Sequence, residues 1–179
     1  MIPIYKQTYL IGSSTSSEKI FKKIQKRHHI QETKRETVEE HYYDTFDWRL
    51  YRKKLLFTIT KNRQQLKKFS GKSVHVSTGR KRNRVFWWDI EDMKMRRVLK
   101  KHIDMRALSP TVSIQRGNRS YKVLNRDRKT VAWIDVISST ARNSGIEMEL
   151  PESLVVTSVR GYEKFYDKLT AALAGLDLE

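Results

Sequence analysis

The alternation of hydrophobic and polar positions predicts strands over much of the chain. Leu55, Phe57 and Ile59 fall on one face of residues 55–60, while Thr58 and Thr60 fall on the other. This two-residue period is typical of a β-strand with one apolar face. Similar patterns, most of them bounded by turn residues, predict strands over residues 4–11, 41–44, 64–69, 73–77, 84–90, 111–116, 119–124, 130–137 and 146–150.

Helical spacing appears in three segments. Thr15 and Glu18 are spaced as a capping box for a first helix that is predicted to end near Ile30. Asp92 is predicted to cap a second helix that ends near Ile103. A third helix is predicted over residues 158–174, with an apolar stripe made of Tyr162, Phe165, Tyr166, Leu169 and Leu173.

The order of these elements indicates the fold class. Residues 31–40 are polar and are predicted to be a connection, and residues 117–118, Gly-Asn, are predicted to be a turn. Helices do not alternate regularly with strands, which argues against a parallel βαβ sheet. The sequence therefore predicts an α+β fold in which an antiparallel sheet closes into a barrel, with the helices packed outside.

Length, charge and composition narrow the function. The chain has 179 residues, which fits one domain over 1–179, and it carries 37 Lys and Arg against 20 Asp and Glu. The net charge of +17 favours an anionic partner such as phosphate, nucleic acid or an acidic surface. There is no cysteine for disulfide or thiolate chemistry, and no apolar run approaches the roughly 18 residues of a membrane span. A cytoplasmic protein without a membrane partner is expected.

Basic residues are densest in the turn GRKRNR, residues 79–84, which precedes Phe86, Trp87 and Trp88. Cations interleaved with aromatic rings can bind single-stranded nucleic acid, because bases stack on the rings. A buried strand beside a solvated turn gives the same pattern. Both interpretations stay open at this point.

Carboxylates provide a second candidate chemistry. Glu147 and Glu149 share one face of the last predicted strand, where paired carboxylates can hold a divalent cation through oxygen or can simply face solvent. Asp135 lies on an otherwise apolar strand and would need a cation or donors if buried. Arg116 and Arg119 belong to neighbouring strands, and arginine suits phosphate because its planar group forms two parallel hydrogen bonds.

The string YYDTFDWRL, residues 42–50, resembles the CYTH family of triphosphate-tunnel enzymes, most closely the CYTH domains that precede CHAD domains. This resemblance implies eight antiparallel strands that form a tunnel. Basic residues inside the tunnel would grip a triphosphate, and acidic residues would hold the Mg or Mn ion that promotes hydrolysis. It also implies that the chain is the N-terminal part of a longer protein with a CHAD domain as partner.

Several family motifs are altered in this sequence. The opening E-x-E-x-K falls on Tyr5, Gln7 and Tyr9, and the arginines of L-R-x-R fall on Thr58 and Thr60. Others are retained. The resemblance assigns anion binding to Arg84, Arg116 and Arg119, and metal binding to Asp135, Glu147 and Glu149; Lys81 and Arg82 of the basic turn add to the anion-binding set.

The principal hypothesis is therefore a degenerate CYTH-like domain that binds polyphosphate or a related phosphate-rich anion without efficient hydrolysis. One alternative is a metal-dependent triphosphate or polyphosphate hydrolase in which Lys6, Lys72 or Arg52 replaces a lost cation. Another is a nucleic-acid-binding module built on GRKRNR. A structural domain without a small ligand is the remaining alternative.

Overall fold

The computed structural model describes residues 4–12, 15–26 and 28–174, without the side chain of Ser73. Eight strands form one antiparallel sheet with the order β1-β8-β7-β6-β2-β3-β4-β5. Their bounds are β1 Lys6–Leu10, β2 His29–Asp44, β3 Leu55–Thr60, β4 Arg63–Lys68, β5 Ser73–Thr78, β6 Ser109–Leu124, β7 Thr130–Asn143 and β8 Ile146–Ser158. The α+β class and the antiparallel sheet are confirmed.

The predicted closure of this sheet into a barrel is not confirmed. β1 and β5 are the two edges, and no pairing joins them in the described part of the chain. On β5, Val74 is 36% exposed and Val76 43%. Hydrophobic alternation predicts that a segment is a strand, but closure also depends on strand tilt and on the stagger of the hydrogen-bond register, which the alternation does not encode.

The helices are α1 Ser17–Gln25, α2 Arg49–Arg52, α3 Met93–Ile103 and α4 Glu163–Ala174, with a short 3-10 helix at Trp87–Asp89. The predicted cap of α3 is confirmed, because the Asp92 carboxylate accepts a hydrogen bond from the Met95 N–H at 2.6 Å. Within the described residues, none of these helices has the length and apolar character needed to cross a membrane.

The first helix and the segment after it differ from the prediction. The N-cap is Ser16 rather than Thr15, because the Ser16 hydroxyl accepts from the Lys19 N–H. The helix ends at Gln25, and the chain enters β2 at His29. Residues 31–37 of this strand are exposed on both faces, so they lack the alternation that would have marked them as a strand.

The aromatic strand predicted over residues 84–90 was also wrong. Only Val85 pairs with another segment, through a bridge to Leu108. The Asp89 carboxylate accepts from the Phe86 N–H at 2.8 Å, which turns the chain into the 3-10 helix. A side chain that bonds the local backbone competes with strand pairing, and here it prevails over the preference of three large rings for a sheet.

The turn predicted at Gly117-Asn118 does not form, since β6 runs unbroken through it. A Cβ atom at Gly117 would lie 2.9 Å from the Ser138 hydroxyl oxygen, so this glycine allows a close approach of the neighbouring strand. One consequence concerns the arginines. Arg116 and Arg119 are three residues apart on one strand, and strand alternation places them on opposite faces.

Contacts divide the chain into two compact units. Unit 1 comprises residues 1–37, 116–139 and 149–179. Its core contains side chains from α1 and α4 together with strand residues, namely Ile20, Ile24, Tyr166, Leu169, Leu173, Tyr9, Tyr121, Val123, Ile134, Val136, Leu154 and Val156. Tyr166, Leu169 and Leu173 of the predicted stripe are buried as expected, but α4 begins at Glu163 rather than at Ser158, which belongs to β8.

Unit 2 comprises residues 38–115 and 140–148. Helix α3 buries Met95, Leu99 and Ile103 completely. The same core includes Tyr43, Leu50, Phe57, Ile59, Leu66, Val85, Ile90 and Leu108. Burial of each such side chain stabilises the fold by about 1.5–3 kcal/mol. The loops of unit 2 are therefore attached to a stable core.

Candidate anion-binding site

Arg80, Lys81 and Arg82 line a cavity of about 560 Å³ in unit 2. They belong to the loop that follows β5. The rest of the lining combines polar and acidic side chains with one valine and one glycine, namely Asn62, Gln64, Thr78, Gly79, Val85, Asp89 and Glu91. The structure thus brings together two of the predicted anion-binding residues, Lys81 and Arg82, and adds Arg80.

The backbone of this loop is fixed at three points. The Gly79 N–H donates to the Asn62 carbonyl at 3.0 Å. The buried Tyr43 hydroxyl donates to the Arg82 carbonyl at 2.9 Å. Val85 and Leu108 exchange two hydrogen bonds of 2.9 and 2.8 Å. Because the main chain is held by the folded core, binding does not have to order the backbone of this loop, which lowers the ordering cost of binding.

The three cations differ in how far they are neutralised. The Arg82 guanidinium lies 3.7 Å from the Asp89 carboxylate. Among the described residues, neither Arg80 nor Lys81 has a carboxylate oxygen within 4.0 Å. All three side chains are exposed. Two cationic side chains without a carboxylate partner are therefore available to an anionic ligand at the cavity.

The acidic side chains of the cavity are already engaged. Asp89 accepts from the Phe86 N–H and faces Arg82. Glu91 accepts a hydrogen bond of 2.5 Å from the Thr78 hydroxyl. These contacts tie both carboxylates to the protein. They still reduce the positive potential, so a ligand would be favoured near Arg80 and Lys81 rather than near Asp89.

Gln64 is the least expected member of the lining. It is only 4% exposed, and its amide oxygen has no hydrogen-bond partner. A Cβ atom at position 79 would lie 2.0 Å from its amide nitrogen, so Gly79 leaves the space that this amide occupies. A buried polar group without a partner is costly. Since the two ends of an amide can be exchanged by rotation, Gln64 can offer either a donor or an acceptor to a ligand.

The pKa of His41 depends on the charge of this loop. Burial lowers the pKa of His41, Glu39 at 3.4 Å acts in the opposite direction, and the positive charge of Lys81 lowers the pKa further. The His41 side chain is 8% exposed. His41 therefore reports on the charge at Lys81 although it does not line the cavity.

A second polar region of unit 2 lies on the sheet, where Thr58 pairs with Tyr42 and Gln65 in register. We call Glu40, Tyr42, Thr58 and Lys67 the paired polar face. Lys67 Nζ lies 2.6 Å from Glu40 Oε1, and the Tyr42 hydroxyl donates to Glu40 Oε2 at 2.8 Å. Thr58 is 1% exposed. The face that the CYTH resemblance assigns to two arginines here holds threonines and one lysine bound to glutamate.

The other predicted anion-binding residues lie elsewhere. Arg84 is exposed on the same loop but does not line the cavity. Arg116 and Arg119 belong to unit 1. Arg119 lies 3.4 Å from the Ser17 hydroxyl and 3.8 Å from the Glu152 carboxylate. Arg116 is exposed. These residues stay predictions for anion binding, without a place in the cavity.

The predicted metal ligands each have their own surroundings. Glu147, in unit 2, forms a two-point contact with Arg142 at 3.1 and 3.2 Å. Glu149, in unit 1, is exposed, and the half-buried Asp135 accepts from the Ser120 hydroxyl at 2.5 Å. Within the described ranges, no three His, Cys, Asp or Glu side chains are grouped so as to hold a metal. Metal binding by these three carboxylates stays a prediction.

Unit 1 has a basic cavity of its own, of about 580 Å³. Arg126 and Arg128 contribute from the turn between β6 and β7, together with His28 and His29. His28 also contacts the ring of Phe165 edge-on at 4.6 Å. The arginines are exposed on a surface turn, and no buried polar group without a partner lines this cavity among the described residues. The cavity of unit 2 is therefore the stronger candidate.

Sequence reasoning missed Gln64 and Lys67 and did not select Arg80. Arg80 could have been selected, because it is adjacent to Lys81 in the same basic turn. Lys67 could have been placed by extending the alternation of β4 from Gln65. Gln64 could have been assigned to the buried face, because it lies two residues before Leu66 and strand alternation puts both on one side of the sheet. Nothing in the pattern RQQLKK indicates that its amide oxygen has no partner.

Comparison with known protein families gives no matching family, and comparison with curated proteins gives no significant match. The CYTH resemblance therefore depends on the local sequence motifs alone, and the function of the site is inferred from its own geometry.

Proposed function

We propose that this chain binds a phosphate-rich polyanion, of the polyphosphate type, at the cavity lined by Arg80, Lys81 and Arg82, without efficient hydrolysis. The observation that carries the proposal is the pair of unneutralised cations, Arg80 and Lys81, on a loop with a fixed backbone beside the buried Gln64, whose amide oxygen has no partner. Positive charge, a fixed backbone and an unused hydrogen-bonding atom together favour phosphate over a neutral ligand.

The balance of charge supports a polyanion rather than a single phosphate. Asp89 and Glu91 partly oppose the three cations of the cavity, so one phosphate would gain little. A polyphosphate chain has several negative groups, and the exposed Arg84 offers a further cation on the same loop. Such binding releases counterions and weakens steeply as salt concentration rises.

Weak or absent hydrolysis is supported by the paired polar face. Hydrolysis of the phosphoanhydride bonds of polyphosphate depends on cations that neutralise developing charge in the transition state. Thr58 and Thr60 replace two such cations in the resemblance to CYTH, and the charge of Lys67 is already compensated by Glu40 at 2.6 Å. Metal binding by Asp135, Glu147 and Glu149, closure of the sheet into a tunnel, an attached CHAD domain and a cytoplasmic location belong to the same proposal.

The test is a triple variant, Arg80→Gln, Lys81→Gln and Arg82→Gln, titrated with tripolyphosphate by calorimetry at fixed ionic strength. We expect affinity to fall about 100-fold, since three charge-assisted hydrogen bonds are lost together. The matched control, Lys22→Gln, Lys23→Gln and Lys26→Gln, removes the same charge from exposed positions at the end of α1, in unit 1. We expect it to lose less than about threefold, because only screened long-range attraction changes.

Two results would contradict the proposal. Equal losses in both variants would mean that net charge, rather than this cavity, attracts the anion. Release of phosphate from tripolyphosphate at ordinary enzyme rates with Mg²⁺ or Mn²⁺ would instead favour the hydrolase alternative.

A further inference from the structure

Three large aromatic side chains lie next to one another on the surface of unit 2. Trp48 is 50% exposed, Tyr51 59% and Phe69 45%. The ring centres of Trp48 and Tyr51 are 6.2 Å apart, and those of Tyr51 and Phe69 are 5.4 Å apart. Exposed aromatic residues in direct contact form a contiguous apolar patch, and such patches mark interaction sites more often than isolated exposed residues do.

The backbone presents these rings firmly. The buried Asp44 carboxylate accepts hydrogen bonds from the N–H groups of Thr45, Leu50 and Tyr51 at 2.7, 2.9 and 2.9 Å. Trp48 adopts a left-handed conformation with φ 56°, which is rare for a bulky residue and is associated with functional segments. The turn that carries the family-like YYDT string thus directs an aromatic residue towards solvent.

Phe69 is held beside Tyr51 by a backbone hydrogen bond to Lys54, which follows α2. Its N–H donates to the Lys54 carbonyl at 3.1 Å. The following turn closes when the Gly71 N–H bonds the Lys68 carbonyl, with Gly71 at φ 79°. The third ring is therefore fixed relative to the first two without being covered by them.

Exposed cations lie on the same segments as the rings. Five exposed basic residues lie on the segments that carry the three rings, namely Arg52, Lys53, Lys54, Lys68 and Lys72. In the described part of the chain none of them has a carboxylate within 4.0 Å. The nearby acid Asp47 is already bonded to Arg49 at 3.1 Å and Arg106 at 3.2 Å. We call the three rings and these five cations the aromatic–basic surface.

We propose that the aromatic–basic surface binds single-stranded nucleic acid. Bases present flat π faces that stack on Trp, Tyr and Phe, while the backbone phosphates meet Lys and Arg. A polyphosphate chain would use the cations but not the rings. The proposal does not depend on the cavity of Arg80–Arg82, which lies on a different loop of unit 2.

The test compares two fluorescent 15-mers, oligothymidylate and an abasic strand of the same length and charge, by anisotropy with the full chain. We expect the thymidylate strand to bind more tightly, because only it can stack. Trp48→Ala with Tyr51→Ala should weaken its binding roughly 10- to 100-fold, since stacking is worth about 1–3 kcal/mol per base. The same change should leave the abasic strand nearly unaffected.

A matched control removes another exposed tryptophan of unit 2. Trp88 is 41% exposed and stacks on Phe86, outside the aromatic–basic surface. Trp88→Ala therefore tests whether the loss of any exposed ring weakens binding, and it should bind the thymidylate strand as tightly as wild type. The triple variant of Arg80, Lys81 and Arg82 should retain the difference between the two strands. Thermal melting would verify that every variant is folded.

Three outcomes would overturn the proposal. The two strands could bind wild type equally, which would reduce the interaction to charge. Trp48→Ala with Tyr51→Ala could leave thymidylate binding unchanged. Thirdly, vesicles with anionic lipid could bind through Trp48 while both strands do not, which would assign the surface to a membrane.

Discussion

The paired polar face and the basic loop of unit 2 use similar residue types in opposite ways. On the sheet, Lys67 lies 2.6 Å from Glu40, and the Tyr42 hydroxyl donates a hydrogen bond to the same carboxylate. On the loop, Arg80 and Lys81 have no carboxylate partner in the described residues, and only the backbone is tied down. One region satisfies its charges internally, whereas the other leaves them to solvent.

The difference separates two roles for a cation. Lys67 and Glu40 are 22% and 10% exposed at the side chain, so each depends on the other for compensation and the pair supports folding. Arg80 and Lys81 are solvated in the free protein, so their charge contributes little to stability and remains available to a ligand. Positive charge alone therefore does not identify a binding residue; its partners do.

The largest expected effect comes from breaking the pair on one side only. Lys67→Met leaves Glu40 buried without its cation, and we expect the free energy of unfolding to fall by about 3 kcal/mol. Urea denaturation at neutral pH would measure the loss. Tripolyphosphate affinity should stay within about threefold of wild type, because the cavity is untouched.

A double variant completes this test. Glu40→Gln together with Lys67→Met removes both charges and should recover most of the lost stability. Lys68→Met, on the exposed neighbouring position, should change stability very little. If Lys67→Met instead abolished anion binding while the protein stayed folded, Lys67 would belong to the binding site and the separation of roles would be wrong.

The next largest loss of stability is expected at Asp44, whose charge is compensated, in the part of the chain that the structure describes, neither by a cation nor by solvent but by backbone N–H groups. Its carboxylate bonds three backbone N–H groups and no cation among the described residues. Asp44→Ala should cost about 2 kcal/mol by leaving buried donors unpaired, as measured by urea denaturation. Tripolyphosphate affinity should not change. A loss of affinity in a folded Asp44→Ala protein would contradict this structural role for the family-like string.

Part of the fold could be predicted from the sequence. The alternation at Leu55, Phe57 and Ile59 marked β3 correctly, and Asp92 marked the start of α3, because both signals are local. The first half of β2 was missed because its side chains are exposed on both faces. Gly117 suggested a turn, but its small size instead allows the approach of Ser138, which depends on a distant strand.

The candidate site was predictable to a similar degree. Lys81 and Arg82 were selected because the basic residues are contiguous. Gln64 was not selected. Its potential to bind a ligand depends on its burial and on the space left by Gly79, which is fifteen positions away along the chain. The exposure of Trp48 and Tyr51 was equally hidden, because an aromatic residue beside a strand is ordinarily expected in the core.

Acid titration of Glu40 should have a smaller effect on stability, because it removes one charge of the same pair. Burial alone would raise the pKa of Glu40, but hydrogen bonds from Lys67 and Tyr42 outweigh it, so the pKa lies below the ordinary value. The unfolded chain then binds the proton first as pH falls. The stabilisation from Glu40 is therefore present above about pH 4.3, the ordinary glutamate value, and is lost as pH falls through the folded pKa.

Denaturation curves collected from pH 7 down to pH 3 would measure this loss. Wild type should lose more stability below about pH 4.3 than the Glu40→Gln, Lys67→Met double variant, which lacks the titrating pair. The Arg80, Lys81 and Arg82 variant should follow wild type. Parallel curves for wild type and the double variant would show that the pair does not carry the predicted linkage.

The smallest effect is a change in His41 caused by a ligand at the loop. Burial lowers the pKa of His41, Glu39 opposes this, and the charge of Lys81 lowers it further. An anion bound at Lys81 would cancel part of that positive field, so the pKa of His41 should rise on binding. NMR titration of the His41 ring with and without tripolyphosphate would measure it. In Lys81→Gln the pKa should already be higher without ligand and respond less to it. An unchanged His41 in wild type, under conditions where calorimetry shows saturation, would place the anion away from Lys81.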